Sequence, residues 1–253
     1  MELFIKNTIK EAGGVVADLF GKVGLKYTKQ DPSDIVSEAD LASNRIIVQR
    51  IKDKFPSHGI IAEESGEHQI DSEYVWIIDP LDGSSNFANR IPLFGIMIGL
   101  AKDGIVELAS IFDPVHDQLF FAQKGNGCYL NDEKIHCSNK KEWAHSYGCA
   151  GGRLSLGKIS FLKNLLNEAE KELVWLNTNN STAVSSMYVA DGRRDWYYSA
   201  GCKVWDYAAP SLILSEAGCK VTNAKGENWR LGDKELAASN EFLHDKLLSI
   251  ARM

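Results

Sequence analysis

The chain has 253 residues, 44% hydrophobic and 25% charged, enough to bury a large core in one compact unit or two joined lobes. Thirty-four acidic against 28 basic side chains leave a formal net charge of −6, so there is no broad basic face to displace counterions from nucleic acid. Five cysteines without CxxC spacing argue against a disulfide framework and a zinc site. Nor does any apolar run approach the roughly 18 residues of a membrane span. Glu2, Lys6 and Lys10 interrupt the N-terminal apolar pattern where a signal peptide needs it continuous. A reduced, cytoplasmic location is the expectation.

Ile5, Ile9, Ala12, Val16 and Leu19 alternate spacings of four and three, which predicts an amphipathic first helix broken at Gly21 and Gly24. Residues 26–33, polar with one proline, read as a mobile loop. A second helix is expected from Ser37 to Phe55, with Leu41, Val48, Ile51 and Phe55 facing the core. Two short strands follow, at 59–62 and 74–78, each ending in acid: Glu63-Glu64 after the first and Asp79 after the second. From Leu93 to Phe121 the pattern is a β-meander, turning at Lys102-Asp103-Gly104 and, after QLFFAQ, at Gly125-Asn126-Gly127.

The second half alternates helices and strands: helix at 158–170, strand at 173–177, helix at 183–190 stopped by Gly192, and helix at 207–217 closed by Gly218 with Pro210 near its first turn. Together these elements give layered α and β, read as one unit over 1–253 with any division into lobes near residue 140. Arg193-Arg194, a doublet on a short turn, reads as an ion pair or an intersubunit contact.

The sharpest feature is Asp79-Pro80-Leu81-Asp82-Gly83-Ser84-Ser85-Asn86-Phe87. Two aspartates leave an apolar strand across a proline turn, and Gly83 and Ser84 then open a short helix start of the kind that receives phosphate. Carboxylates held close together repel unless a cation lies between them, and oxygen-only ligands are what Mg²⁺ requires. Taken alone, Pro-Leu-Asp-Gly is a β-turn. Glu63-Glu64 alone is a solvated turn, Asp34 and Asp40 are helix-start acids, and Asp206 in Trp205-Asp206-Tyr207-Ala208-Ala209 is an N-cap. One metal site accounts for all of them at once.

Those segments carry a resemblance. DIVSEAD, AEESG, WIIDPLDGSSNF and VWDYAAPSLILSEAG stand in an order and spacing similar to the inositol monophosphatase family, from about residue 29 to 222, with weaker agreement at Ala237-Ala238-Ser239-Asn240. The resemblance implies an α+β fold layered αβαβα, a homodimer, sensitivity to Li⁺ and Mg²⁺-dependent hydrolysis of a small phosphorylated metabolite. It assigns Glu63, Asp79 and the Leu81 carbonyl to a first metal and Asp79, Asp82 and Asp206 to a second, with a third, weaker Mg²⁺ against Glu63. Ser84, where the family usually has Thr, positions the attacking water with Glu63, and Asp40 orients the hydroxyl. Lys29 matches a lysine of the family's mobile loop.

On the substrate side the chain departs from the family. A glutamate that binds inositol hydroxyls in the inositol-specific members is replaced by Ser199. Ser181-Thr182-Ala183 matches a small-residue motif that either lets a backbone amide approach the ligand or packs a helix closely. Lys203 is placed to meet a second anionic group or is an ordinary surface lysine. Inositol phosphate and sugar phosphate lead as substrates, with fructose 1,6-bisphosphate and histidinol phosphate open and 3′-phosphoadenosine 5′-phosphate disfavoured. A regulatory binding protein on the same fold, docking onto RNA or the transcription machinery, is the alternative class; the acidic charge argues against direct contact with nucleic acid.

Overall fold

The three-and-four spacing at the N-terminus winds into α1 (Glu2–Leu19), with Ile5, Ile9, Ala12 and Val16 fully buried. The computed structural model describes residues 1–23, 25–28, 35–152 and 154–252, apart from the side chains of residues 25, 26 and 35. The segment read as one polar loop begins as strand: β1 (Leu25–Thr28) pairs antiparallel with β2 (Ile35–Ser37). Lys29 and Asp34 lie outside the described residues.

Next comes α2 (Glu38–Lys54). Ile51 is buried as expected, and Val48 and Phe55 pack half-buried against the core. The buried face also takes in Asp40, Ser43 and Asn44 beside Ala39 and Ile47, and Leu41 is only half-buried. A helix that carries polar groups inward has a wider buried face than its hydrophobic periodicity marks.

The first large sheet pairs β3 (Gly59–Ala62) with β4 (Gly66–His68) on one side and, in parallel, with β5 (Tyr74–Asp82) on the other. From β5 the chain enters α3 (Ser84–Ala88) and then an antiparallel meander of β6 (Gly95–Lys102), β7 (Ile105–Asp113), β8 (Gln118–Gln123), β9 (Gly127–Leu130) and β10 (Glu133–Ile135). Lys102 pairs with Ile105, and the two residues between them take φ +48° and +78°. Positive φ at both central positions lets a two-residue turn follow the strand twist.

The second sheet and its helices run β11 (Tyr147–Gly151), α4 (Leu156–Ala169), β12 (Trp175–Asn177), α5 (Thr182–Ala190), β13 (Trp196–Ala200), α6 (Val204–Glu216), β14 (Lys220–Thr222), β15 (Glu235–Ser239) and α7 (Glu241–Arg252). The strand order is β12-β11-β13-β15-β14, with the first three parallel. The sequence reading omits β11, β13, β14 and β15. In β13, Trp-Tyr-Tyr-Ser-Ala is buried at every position, and a strand covered on both faces has no period-two signal.

Among the described residues, α1 and α2 cover one face of the eight-stranded sheet, α5 and α6 lie between the two sheets, and α4 and α7 cover the far face of the five-stranded sheet. The result is the expected α–β–α–β–α layering. A single buried cluster runs from Ile77 and Met97 through Met187 and Ile213 to Leu236, filling the space between the sheets.

Candidate metal centre and active site

β5 buries Trp76, Ile77 and Ile78 and then carries Asp79 and Asp82 out at its C-terminal end. In a regular strand, residues three apart point to opposite faces. Here the pairing with β6 slips between Asp79 and Asp82, and the irregularity at Pro80-Leu81 re-aims the second side chain. Ser43 Oγ donates to the Pro80 carbonyl at 2.7 Å, fixing that kink to α2. Carboxylate oxygens of Asp79, Asp82 and Asp206 consequently lie within 4.8 Å of one another.

Asp206 arrives from the other sheet. α6 starts at Val204, three residues earlier than expected, so Asp206 is the third helical residue and not the N-cap. Its carboxylate still performs a capping bond, accepting the Lys203 N–H at 2.6 Å. Pro210 falls inside the helix; the bond it omits is the one to the Asp206 carbonyl, four residues back.

Burial, followed by the charges of Glu63, Asp82 and Asp206, holds the Asp79 carboxyl well above the usual carboxylate range. Burial also raises Asp82, against the lowering effect of bonds from Ser181 and the Ala183 and Thr182 backbone. Such crowding is relieved by a cation, and the donors are all carboxylate oxygens. That chemistry suits a hard ion such as Mg²⁺ and lacks the nitrogen and sulfur donors typical of Zn²⁺ sites. Glu63 stands half-buried just after β3, its N–H donating to the Ile78 carbonyl at 3.2 Å. The Leu81 N–H donates to Asp79 Oδ1 at 3.1 Å.

Ser84 Oγ lies 2.7 Å from Asp40 Oδ1 and 2.8 Å from the Leu81 carbonyl, so its one proton bonds either acceptor in turn. Asp40 Oδ2 accepts both the Ser37 N–H at 2.8 Å and the Ser37 hydroxyl at 2.6 Å. Burial raises the Asp40 carboxyl, and the bonds from Ser37 and Ser84 oppose that rise. Ser37 and Ser43 were missed from sequence. Ser37-x-x-Asp40 is a capping-box pattern and was a usable signal for the first; nothing local marks the second.

The N-terminus of α5 points at Asp82. Ser181 Oγ, the N-cap, donates to Asp82 Oδ2 and accepts the Val184 N–H at 3.1 Å, while the Ala183 N–H donates to the same Oδ2 at 2.9 Å. A helix start stabilises an anion through its orphan N–H groups and its dipole. The segment thus grips a carboxylate of the cluster, where a direct ligand contact was one expectation.

Residues 3–253 match the Inositol monophosphatase family. The chain belongs to that family. It is 33% identical over 247 residues to the Nus factor SuhB of Pasteurella multocida, covering 95% of this chain and 91% of the relative. It is 32% identical over 246 residues to the inositol-1-monophosphatase of Mesorhizobium japonicum, with 96% and 92% covered. The solved structure of the extragenic suppressor protein suhB of Bartonella henselae superposes with a TM-score of 0.92 at 29% identity, over 99% of this chain and 98% of that one.

Within this inositol monophosphatase fold the remaining expected substrate residues separate. Gly83, at φ +84°, precedes the short α3 and brings Ser84 beside the carboxylates. Thr182 is buried, its Oγ1 bonded by the Tyr197 hydroxyl at 3.2 Å. Ser199 is fully buried; its hydroxyl lies 3.1 Å from the Tyr207 hydroxyl and 3.5 Å from Cys202 Sγ. At the position that replaces the inositol-binding glutamate, the Ser199 hydroxyl thus turns toward Tyr207 on α6 and Cys202 in the segment before it. Lys203 is exposed at the N-cap of α6.

Proposed function

We propose that this chain is a Mg²⁺-dependent phosphomonoesterase acting on a small polyol or sugar phosphate. One observation carries the reading: Asp79, Asp82 and Asp206 converge beside a hydrogen-bonded Ser84–Asp40 pair. Asp79, Asp82, Asp206, Glu63 and the Leu81 carbonyl are the residues assigned to hold the cations, Asp79 being shared. When bound, Mg²⁺ supplies charge neutralisation for phosphoryl transfer and lowers the pKa of a water.

The chain's own part is positioning and proton handling. The N–H groups following Gly83 receive phosphate oxygens. Ser84 accepts a proton from the attacking water while giving its own to Asp40 Oδ1, and Ser37 keeps the Asp40 carboxylate oriented for this through Oδ2. Inhibition by Li⁺ belongs to the same reading. A homodimer is supported by the bare edge of the second sheet: Trp175 and Leu176 on β12 are 50% and 38% exposed, with Tyr147 stacked on Trp175 at 5.9 Å. An uncovered apolar edge strand favours burial by a second copy.

The test is phosphate release from inositol 1-phosphate, fructose 1,6-bisphosphate, histidinol phosphate and glycerol 2-phosphate, with Mg²⁺, with EDTA, and with Asp79→Asn. Turnover that disappears in EDTA and in the variant is expected. Turnover that survives both sinks the reading. A second reading is favoured by the name Nus factor carried by the 33% identical relative: a regulatory role through a protein partner, whose capture by this chain survives Asp79→Asn.

A further inference from the structure

Cys137 and Cys219 meet at the end of α6 opposite to the one that carries Asp206. There Gly218 takes φ +94°, its N–H donates to the Ser215 carbonyl at 3.0 Å, and the Cys219 N–H donates to the Leu214 carbonyl at 3.0 Å. These are the two bonds of a Schellman motif, which fixes the backbone of Cys219. The segment after β10 docks on this helix end: the Cys137 N–H donates to the Ala217 carbonyl at 2.8 Å, and a Cβ built on Gly218 would lie 3.8 Å from Cys137 Sγ. The two thiols lie close enough that each shifts the other's titration. Both are free thiols, Cys137 half-buried and Cys219 7% exposed.

We propose that Cys137 and Cys219 form a reversible oxidation site, at which a peroxide converts the dithiol to an intramolecular disulfide. The Cys137 thiolate attacks the peroxide: an S–O bond forms, the O–O bond breaks, and the departing hydroxide leaves as water with the thiol's proton. Cys219 then displaces the sulfenic oxygen: the S–S bond forms, the S–O bond breaks, and a second water carries off the Cys219 proton. Two thiols lose two electrons, and one hydrogen peroxide becomes two waters. Thiol reductants reverse the bond by exchange.

The order of attack follows from the environment. Cys137 is half-buried and can meet peroxide, whereas Cys219 is 7% exposed and is reached only through Cys137. The other thiols are poor competitors: burial pushes Cys128 and Cys202 up to about 12 and Cys149 to about 11. The backbone bond to Ala217 pins the Cys137 segment against the helix end that carries Cys219. The cross-link closes the loop from 137 to 219, which holds β11, β12 and β13, so it constrains the unfolded chain strongly.

The experiment treats reduced, desalted full-length protein with hydrogen peroxide, then alkylates it under denaturing conditions and weighs it. Wild type is expected to fall from five alkylatable thiols by two, with a non-reduced digest linking the Cys137 and Cys219 peptides. Its Tm rises by roughly 5 °C or more over the reduced form, and dithiothreitol reverses both changes. Cys137→Ser loses the link and the shift; Cys219→Ser retains a Cys137 sulfenic acid that dimedone traps. The proposal is overturned if wild type keeps all its thiols, or if the link forms through Cys128 instead. The wild-type mapping decides the matter even if a variant fails to fold.

Discussion

The two sheets contribute to the site by different means. The first sheet supplies side chains: an apolar strand ends in Asp79 and Asp82, a slip in pairing turns both the same way, and Asp40 and Ser84 stand beside them. The second sheet supplies helix starts: the first turn of α6 brings Asp206, and the first turn of α5 grips Asp82 through Ser181 and the Ala183 amide. In the proposed site the carboxylates, Asp206 included, would hold the cation. The start of α5 holds Asp82 still, and its loss should cost less.

The largest effect is expected at Asp79→Asn, with kcat falling at least about 10³-fold in Mg²⁺. The same variant should be more stable than wild type in EDTA, because it removes a buried carboxyl repelled by Glu63, Asp82 and Asp206. The sign follows from linkage. The folded pKa lies above the unfolded value of 3.8, so the stability attributable to Asp79 is lost as pH rises from 3.8 toward the folded value. Asparagine does not titrate, and the gap in Tm between variant and wild type should widen as pH rises through that window. A cation-free variant that melts below wild type would break the picture of a crowded cluster.

Ser84→Ala comes next, with kcat down about 10²-fold and KM little changed. Asp40→Asn should resemble it, and the double variant should be no worse than about the poorer single, if the hydrogen-bonded pair passes one proton as proposed. Effects that multiply would separate them into independent roles.

How much was legible in the sequence follows the same division. The strand-end acids and the Lys102-Gly104 turn announce themselves because apolar runs, acids and turn glycines are local signals, whereas the αβαβα layering is legible only through the family resemblance. The inward face of α2 was read only in part, because Asp40, Ser43 and Asn44 share it with Ile47 and Ile51. The start of α6 was misplaced because Asp206 suits an N-cap by residue type, whereas it is the third helical residue and bonds back to the Lys203 amide. The grip of α5 on Asp82 joins residues about a hundred positions apart, and no local pattern encodes it. Fully buried β13 hides for want of alternation.

Ser181→Ala tests the joint between the two regions. It removes an N-cap and the hydroxyl on Asp82 Oδ2, so stability should fall by about 1–2 kcal/mol. The Mg²⁺ concentration for half-maximal turnover should rise about 10- to 100-fold, as when a residue behind a ligand is lost. An unchanged Mg²⁺ requirement would mean that Asp82 needs no support from the second sheet.

The smallest effect is expected at Ser199→Ala. The residue is fully buried with its hydroxyl against Tyr207, whose own hydroxyl also lies 3.3 Å from the Lys234 carbonyl. Removing the Ser199 hydroxyl leaves Tyr207 that second partner, so the loss should be about 1 kcal/mol of stability. Across the phosphate-ester panel, kcat/KM should move by less than about twofold, because less than half a kcal/mol then separates the transition states. A drop of about tenfold on one ester but not the others would show that the hydroxyl turns outward when substrate binds. The second sheet would then also contribute a specificity side chain, and its role would not be confined to helix starts.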